Sequence, residues 1–321
     1  MDMKKEALAE ESVLGKTVKK KKKRRKDRES RQLLVMCLPM LIKTFIFSYI
    51  PLIGIVMAFQ FYIPRRGLFG SEWVGWENFS YLLKSSVASR LVTNAIVFNL
   101  LFVVFATVTG ILLGLFYHEI SNRCFLKITQ TIAIFPFFVS WPLVGVLLQS
   151  LLGNEGVITN FLSSVFGTNI DFYQEPRYWR TILTISYVWK NAGLGAITYY
   201  AVLTGIDREL YEAAEIDGAG RFRRMFSISI PQLKLMVILN MIMSCANILR
   251  CDFNMIYFVT NNKSALLPTT DVIETYMFRA LRVESDYSIG TATGLFQGAV
   301  GLVLTLIMNK IANLVAHESL Y

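Results

Sequence analysis

The chain has 321 residues, of which 54% are hydrophobic and 17% are charged, and its formal net charge at pH 7 is +10. A soluble protein usually carries about 25% charged residues, so this composition argues against a soluble globular protein. The apolar residues also occur in runs of about 20, which is the length a helix needs to cross the hydrocarbon of a bilayer.

The first segment in chain order is a basic tail, residues 1–32, which holds thirteen of the 33 lysines and arginines. A run such as residues 19–26 can bind nucleic acid. Because this run lies directly before an apolar segment, we favour a cytoplasmic tail that contacts anionic membrane lipid, without a nucleic-acid partner. The apolar segment is too long for the core of a cleaved signal peptide.

Six apolar segments follow, and each is predicted to be a transmembrane helix. They cover residues 33–61, 91–117, 125–152, 181–204, 233–248 and 291–315. Helices are expected because backbone groups in lipid must form their hydrogen bonds within the segment. The sequence therefore predicts an all-α, polytopic protein of the cell membrane, with one separate helix and a five-helix core at residues 91–315.

The basic tail also predicts the orientation of the chain. If residues 1–32 are cytoplasmic, six spans return residues 316–321 to the cytoplasm, so both termini lie inside. Residues 62–90 and 252–290 are then extracellular, and residues 205–232 form a cytoplasmic loop. Within the second extracellular segment we predict a helix at residues 269–282 that begins with Thr270 as its N-cap.

The cytoplasmic loop has the pattern of two short helices joined by a sharp turn. Asp207 is a predicted N-cap for a helix over Arg208–Ile216, and Gly218 permits the chain to reverse. A second short helix is expected at residues 221–227, and Pro231 suits the first turn of the next span. From these residues alone the loop could be a solvated connector between two spans.

The spacing of particular residues in this loop gives a more specific interpretation. The pattern resembles the loop signature of permeases of binding-protein-dependent ATP-binding-cassette (ABC) importers, through Glu212-Ala213-Ala214, Gly218, Ile228, Ile230 and Pro231. Other segments are similar to carbohydrate-uptake permeases, in the branch named for lipo-oligosaccharide or multiple-sugar import: residues 70–76, Trp189-Lys190 and residues 270–276.

This resemblance implies a type I ABC importer permease fold and a mechanism. The cytoplasmic loop would be a coupling loop that docks on a cytoplasmic ATPase dimer, through Glu212, Ala213, Ala214, Asp217, Gly218, Ala219, Ile228 and Pro231. A second, homologous permease subunit would complete the pathway, and an extracellular solute-binding protein would deliver an oligosaccharide. The chain has no GxxxxGK motif, so ATP and Mg²⁺ are expected on the ATPase subunits and this chain is not expected to be an enzyme.

Polar residues in or near the spans are candidates for the substrate pathway. Lys190 lies in the middle of the fourth predicted span, where a lysine costs about 2.5–3.5 kcal/mol on an insertion scale. It either lines the pathway or pairs with backbone carbonyls or a second subunit. Sugar sites combine hydrogen-bonding groups with aromatic faces, which suggests Trp189, Lys190, Asn191, Tyr199, Asn247, Asp252, Asn254 and Tyr257.

Two other classes of membrane protein remain as alternatives. A secondary transporter or channel for a small polar solute would more often carry carboxylates in the middle of its spans, and none is central here. A membrane-embedded enzyme would need catalytic groups, but the spans contain no histidine, and the four cysteines show no CxxC spacing. The sequence thus predicts no catalytic, cofactor-binding or metal-binding residues.

Overall fold

A computed structural model describes residues 32–167 and 170–316. The basic tail, apart from Gln32, and residues 317–321 lie outside this part. Contacts divide the chain between Val56 and Met57, so the two units are described separately. Helix α1 spans Gln32–Phe59. Its residues up to Val56 belong to the first unit, and its last three residues belong to the second.

The end of α1 differs from the predicted span at residues 33–61. The helix stops at Phe59, and Gln60–Phe61 forms strand β1, which pairs in antiparallel fashion with strand β2, Glu72–Trp73. The side-chain amide of the buried Asn78 donates to the carbonyl oxygens of Ala58 and Gln60, at 2.9 and 3.0 Å. These carbonyls therefore have partners without a further helical turn.

The other described elements are helical. They are α2 (Gly67–Gly70), α3 (Glu77–Lys84), α4 (Ser86–Glu119), α5 (Arg123–Phe138), α6 (Trp141–Leu152), α7 (Val157–Phe166), α8 (Trp179–Thr204), α9 (Arg208–Ile216), α10 (Arg221–Ala246), α11 (Phe253–Val259), α12 (Leu267–Thr270), α13 (Ile273–Arg282) and α14 (Tyr287–Ala316), with short 3₁₀ turns at Pro176–Tyr178 and Ser264–Leu266.

Within the described residues, four helices are long and apolar enough to cross a membrane by length and composition: α1, α4, α10 and α14. A fifth candidate is the pair Arg123–Phe138 and Trp141–Phe166, which is bent by 96°. Helix α8 covers the fourth predicted span, residues 181–204. Its 26 residues make it about 39 Å long, but its polar side chains make it less apolar than the four helices named above.

The third predicted span, residues 125–152, is wrong as a single straight helix. The chain bends at Val139 and Ser140, between α5 and α6, and the bend leaves backbone carbonyls without helical partners. The ammonium group of Lys190 donates hydrogen bonds to the carbonyls of Pro136, Phe137 and Val139, the second at 2.8 Å. A buried lysine on α8 thus satisfies the end of α5, which a local sequence pattern does not reveal.

Helices α4 and α8 run parallel and pack closely. Phe102 of α4 stacks on Tyr187 of α8 with ring centroids 4.2 Å apart. Further along, a Cβ atom at Gly114 would lie only 3.0 Å from the Cβ of Tyr199. Small residues therefore permit the contact, as is common between membrane helices.

The predicted helix at residues 269–282 is divided in two. Helix α12 ends at Thr270 and α13 begins at Ile273, and Thr270 is not the N-cap, because its hydroxyl donates to the carbonyl of Leu266. Asp271 lies at the break with no exposed surface. Its carboxylate accepts hydrogen bonds from Arg279 at 2.6 and 2.7 Å and from Arg90 at 3.1 Å.

One face of α13 packs against the bundle. Ile273 is buried, Met277 packs at Gly294 of α14, and Leu281 packs at Gly290. The two ends of the bundle differ in the elements they hold. Helices α12 and α13 lie near the start of α8, and α9 follows the end of α8.

The Lys190 contacts yield a prediction of stability. We expect Lys190→Met to lower the stability of the purified protein by about 1–3 kcal/mol, because buried carbonyls lose their donor. Thermal unfolding in detergent measures this effect. Lys234→Met is the matched control, since Lys234 is an exposed lysine on α10. Equal melting temperatures for the two variants would contradict the bridging role.

Candidate functional site

The first candidate site is the coupling loop with helix α9. The side chain of Asp207 accepts a hydrogen bond from the backbone N–H of Glu209 at 3.1 Å, which confirms the predicted N-cap. The helix ends at Asp217, and Gly218 follows with φ of +78°. Open space surrounds Gly218, so its left-handed backbone rather than crowding favours glycine there.

The predicted docking residues lie on an open surface. Glu212, Ala213, Asp217 and Gly218 are exposed, while Ala214 and Ala219 are partly exposed. The carboxylate of Glu212 lies 4.0 Å from Arg208, a solvent-exposed pair that contributes little.

Apolar side chains that sequence analysis did not select share this surface. Ile216 is 87% exposed and Phe222 is 78% exposed. Exposed apolar residues of this size beside acidic ones are typical of a protein–protein contact. Their exposure depends on how the two helices turn back on each other, so sequence spacing alone gave no signal for them.

The predicted short helix at residues 221–227 is wrong, because α10 is continuous from Arg221 to Ala246. Met225–Ser229 forms a π-helical turn within it, which contains Ile228. Pro231 comes two residues later. Proline lacks the N–H that a regular helix uses and its ring crowds the preceding turn, and the wider π turn accommodates both effects.

A hydrogen bond and an ion pair join α9 to α10. The hydroxyls of Tyr211 and Ser229 lie 2.9 Å apart, and Ser229 is buried within the π turn. Arg224 Nη1 lies 3.2 Å from a carboxylate oxygen of Glu215. A force on α9 therefore reaches the start of a long apolar helix through a direct contact.

The second candidate site is a polar cavity of about 250 Å³ between α4, α8 and α10. It brings together two of the predicted substrate residues, Asn191 and Tyr199. The amide of Asn240 donates to the Tyr199 hydroxyl at 3.4 Å. The remaining polar residues of the lining are Thr107, Thr198 and Ser244.

Sequence analysis missed Asn240 and Ser244, although a signal was present. Together with Asn247 they recur at intervals of four and three residues along the otherwise apolar residues 235–247. That spacing places polar groups on one face. The stacked pair of Phe102 and Tyr187 adds aromatic surface to the same cavity.

The other predicted substrate residues do not join this cavity. Trp189 lines a separate, apolar cavity of about 480 Å³, and Lys190 pairs with the backbone carbonyls described above. Asn247 lines a third cavity of about 260 Å³. Asp252 accepts a hydrogen bond from the indole of Trp141 at 2.6 Å and caps α11.

The last two candidates belong to α11. Asn254 is exposed, and the ring of Tyr257 stacks on Phe253 with centroids 5.0 Å apart. The eight predicted residues thus occupy several places in the bundle rather than a single site.

A partly buried acid, Glu274, lies beside the third cavity. One carboxylate oxygen of Glu274 accepts hydrogen bonds from Gln297 at 2.7 Å and from the backbone N–H of Cys251 at 3.0 Å. The other oxygen is buried and has no hydrogen-bond partner among the described residues. Burial raises the pKa of Glu274 above its ordinary value, and the hydrogen bond from Gln297 offsets part of that rise.

Comparison with known proteins gives consistent results. The family model described as "Binding-protein-dependent transport system inner membrane component" matches residues 106–317. The polygalacturonan/rhamnogalacturonan transport system permease protein YteP of Bacillus subtilis (strain 168) is 34% identical over 98% of both chains. Protein LplB of the same organism is 32% identical over 92% of both chains.

Two solved structures have the same fold. One is a bacterial ABC transporter involved in the import of the acidic polysaccharide alginate, with a TM-score of 0.80 and 31% identity over 90% of this chain and 97% of that chain. The other is the bacterial alginate ABC transporter in complex with an alginate pentasaccharide-bound periplasmic protein, with a TM-score of 0.80 and 30% identity over 91% and 98%.

The environment of Glu274 predicts a pH dependence. Because its folded-state pKa is raised, the stability that Glu274 contributes is present below its ordinary value of 4.5 and is lost as the pH rises through the folded-state value. Glu274→Gln stays neutral and retains an acceptor oxygen. Its melting temperature, relative to that of the unmodified protein, should therefore rise as the pH increases from 4.5 through the folded-state pKa of Glu274.

Thermal unfolding in detergent at several pH values measures this difference. The matched control is Glu284→Gln, which changes an exposed glutamate just after α13. A constant difference between Glu274→Gln and the unmodified protein across this pH range would contradict the effect of burial.

Proposed function

The chain belongs to the family of binding-protein-dependent transport system inner membrane components, and from this membership we propose that it carries an oligosaccharide across the cell membrane. It is a membrane-embedded permease subunit of an ABC importer and not a catalytic subunit. The main support for an oligosaccharide substrate is the similarity, over 98% of both chains, to a permease named for polygalacturonan and rhamnogalacturonan transport. Family membership decides against a secondary transporter or channel.

The complete importer has four kinds of component in this proposal. This chain pairs with a second, homologous permease subunit, and an extracellular solute-binding protein delivers the sugar. A cytoplasmic ATPase dimer binds ATP and Mg²⁺ and supplies the energy. Both termini and α9 face the cytoplasm, while α12 and α13 face outside. The complex of the similar alginate transporter with its periplasmic protein supports the role of a binding protein.

Helix α9 is the element that receives the force from the ATPase. Its exposed surface combines acidic residues such as Glu212 with the exposed side chain of Ile216, which suits a groove on another protein. Gly218 holds the turn that presents this surface. The hydroxyl contact between Tyr211 and Ser229 then transmits movement of α9 to α10. ATP binding would thereby shift the permease between two states.

The polar cavity between α4, α8 and α10 is the proposed sugar pathway. Amides and hydroxyls there, including those of Asn191, Tyr199 and Asn240, can exchange hydrogen bonds with sugar hydroxyls. The ring of Tyr187 offers a flat face for a sugar ring. A cavity of this size holds only part of an oligosaccharide, so the second permease subunit would supply the opposite wall.

The first test addresses the coupling loop. We expect Glu212→Lys and Gly218→Pro to leave the protein in the membrane but to abolish its association with the ATPase and the uptake of sugar. Lysine reverses a charge at the contact, and proline cannot adopt the positive φ of position 218. Co-purification and uptake assays measure the two effects. Glu155→Lys makes the same charge change in an exposed loop far from α9 and should behave normally. Normal uptake by both loop variants would overturn the coupling role.

The second test addresses the cavity. Asn240→Leu preserves side-chain size but removes the amide, and we expect about tenfold slower uptake, which corresponds to the loss of one hydrogen bond. Association with the ATPase should persist. Asn160→Leu, on the exposed surface of α7, is the control. Unchanged uptake by Asn240→Leu would show that sugar takes another route.

A further inference from the structure

The apolar cavity and the polar cavity lie along the same surface of α8. Thr184 and Val188 line the first, and Asn191, Gly195 and Thr198 line the second. These positions are separated by four, three, four and three residues, so they share one face of the helix.

The parallel helix α4 completes both cavities, with Phe105 in the first and Phe102 in the second. The two cavities therefore follow one another along the α4–α8 pair. The stretch of α8 from Arg180 to Thr198, which both cavities contact, is about 27 Å long at 1.5 Å per residue.

Arg180 lines the apolar cavity, at the end of α8 that is remote from α9. Its guanidinium donates one hydrogen bond to the side-chain oxygen of Asn94 at 3.0 Å, and its Nε is buried without a partner. In residues 32–167 and 170–316, no carboxylate lies within ion-pair distance of it. The positive charge of Arg180 is thus oriented but not neutralised.

The orientation of Arg180 depends on a built support. Asn94 is 1% exposed, and its amide nitrogen donates to the backbone carbonyls of Asp271 at 3.0 Å and Pro268 at 3.3 Å. These contacts leave the side-chain oxygen of Asn94 facing the guanidinium. A neutral amide therefore fixes Arg180 in place without cancelling its charge.

The surrounding charges leave the same region positive. Asp271 is paired with Arg90 and Arg279, so the three arginines exceed the one aspartate by two charges. Arg90 Nε and Arg279 Nη1 are also buried without hydrogen-bond partners among the described residues. The net positive charge of this cluster favours an anionic ligand beside Arg180.

We infer that Arg180 is a specificity-determining residue that receives a carboxylate of the transported sugar, so that the substrate is an acidic, uronate-containing oligosaccharide. This inference rests on the proposed transport function and narrows its substrate class. A guanidinium can bind a carboxylate through two parallel hydrogen bonds.

Other groups in the same cavity suit the rest of such a sugar unit. The hydroxyls of Thr181 and Thr184 can bond to sugar hydroxyls, and Trp189 supplies an aromatic face. The acid group would be bound in the apolar cavity, at the end of α8 that is remote from the uncharged polar cavity.

The experiment compares two probes of equal length in proteoliposomes that contain the complete transporter and its binding protein. One is trigalacturonic acid, and the other is its fully methyl-esterified, neutral form. We expect Arg180→Gln to reduce uptake of the acid about tenfold and to leave uptake of the ester unchanged. Arg180→Lys should keep part of the uptake of the acid. The same binding protein serves every variant, so a changed ratio of acid to ester uptake reports on the permease.

Two further variants sharpen the test. Asn94→Ala should raise the KM for the acid more than it lowers kcat, since it removes only the positioning contact. Arg177→Gln is the matched control, because Arg177 is an exposed arginine in the preceding turn that pairs with Glu175. Its uptake ratio should not change.

The possible results separate this inference from the proposed function. If Arg180→Gln slows acid and ester equally, or if its effect follows the anionic lipid content of the vesicles, Arg180 does not read the sugar and the inference fails. If neutral oligosaccharides are imported and the acid is not, the inference fails while the transport function stands. If no oligosaccharide is imported or stimulates ATP hydrolysis, the proposed function itself fails.

Discussion

The contact between the Lys190 ammonium group and three carbonyls at the bend between α5 and α6 determines much of the bundle. A break in a membrane helix leaves backbone groups that lipid cannot satisfy, and a lysine in the same region is costly by itself. Each unfavourable feature supplies the partner that the other needs. The contact also brings α8 against α5, where Gly193 lies so close to the backbone of Ala133 that a Cβ atom would collide with it.

With one face of α8 committed to α5, the neighbouring face is available to α4 and the cavities. Lys190 and Asn191 are adjacent in sequence, yet one supports the bend and the other lines the polar cavity. The close packing of Gly114 on Tyr199 keeps α4 and α8 parallel, so that the cavities follow one another along their shared surface. A polar helix can therefore remain stable within the bundle and still offer hydrogen-bonding groups to a solute.

Much of the fold could be predicted from sequence because apolar runs, Asp207 and Gly218 act locally. The predictions failed where distant residues decide the structure. The break at Val139 depends on Lys190, and the break at Asp271 depends on Arg90 and Arg279. At the functional sites, the spacing of the coupling loop gave a specific interpretation, whereas the cavity needed three helices to be placed together. Asn240 lies 49 positions beyond Asn191 in the sequence, and only packing shows that they face the same space.

The π-helical turn at Met225–Ser229 adds one residue to a turn of α10, and one residue of an α-helix corresponds to a rotation of about 100°. Relative to Arg221–Arg224 at the start of the helix, the direction in which Asn240 points into the cavity is thus offset from the one that unbroken α-helical winding would impose. The side chains at the two ends of α10 can consequently face different neighbours, and the direction at one end can change in evolution without a change at the other.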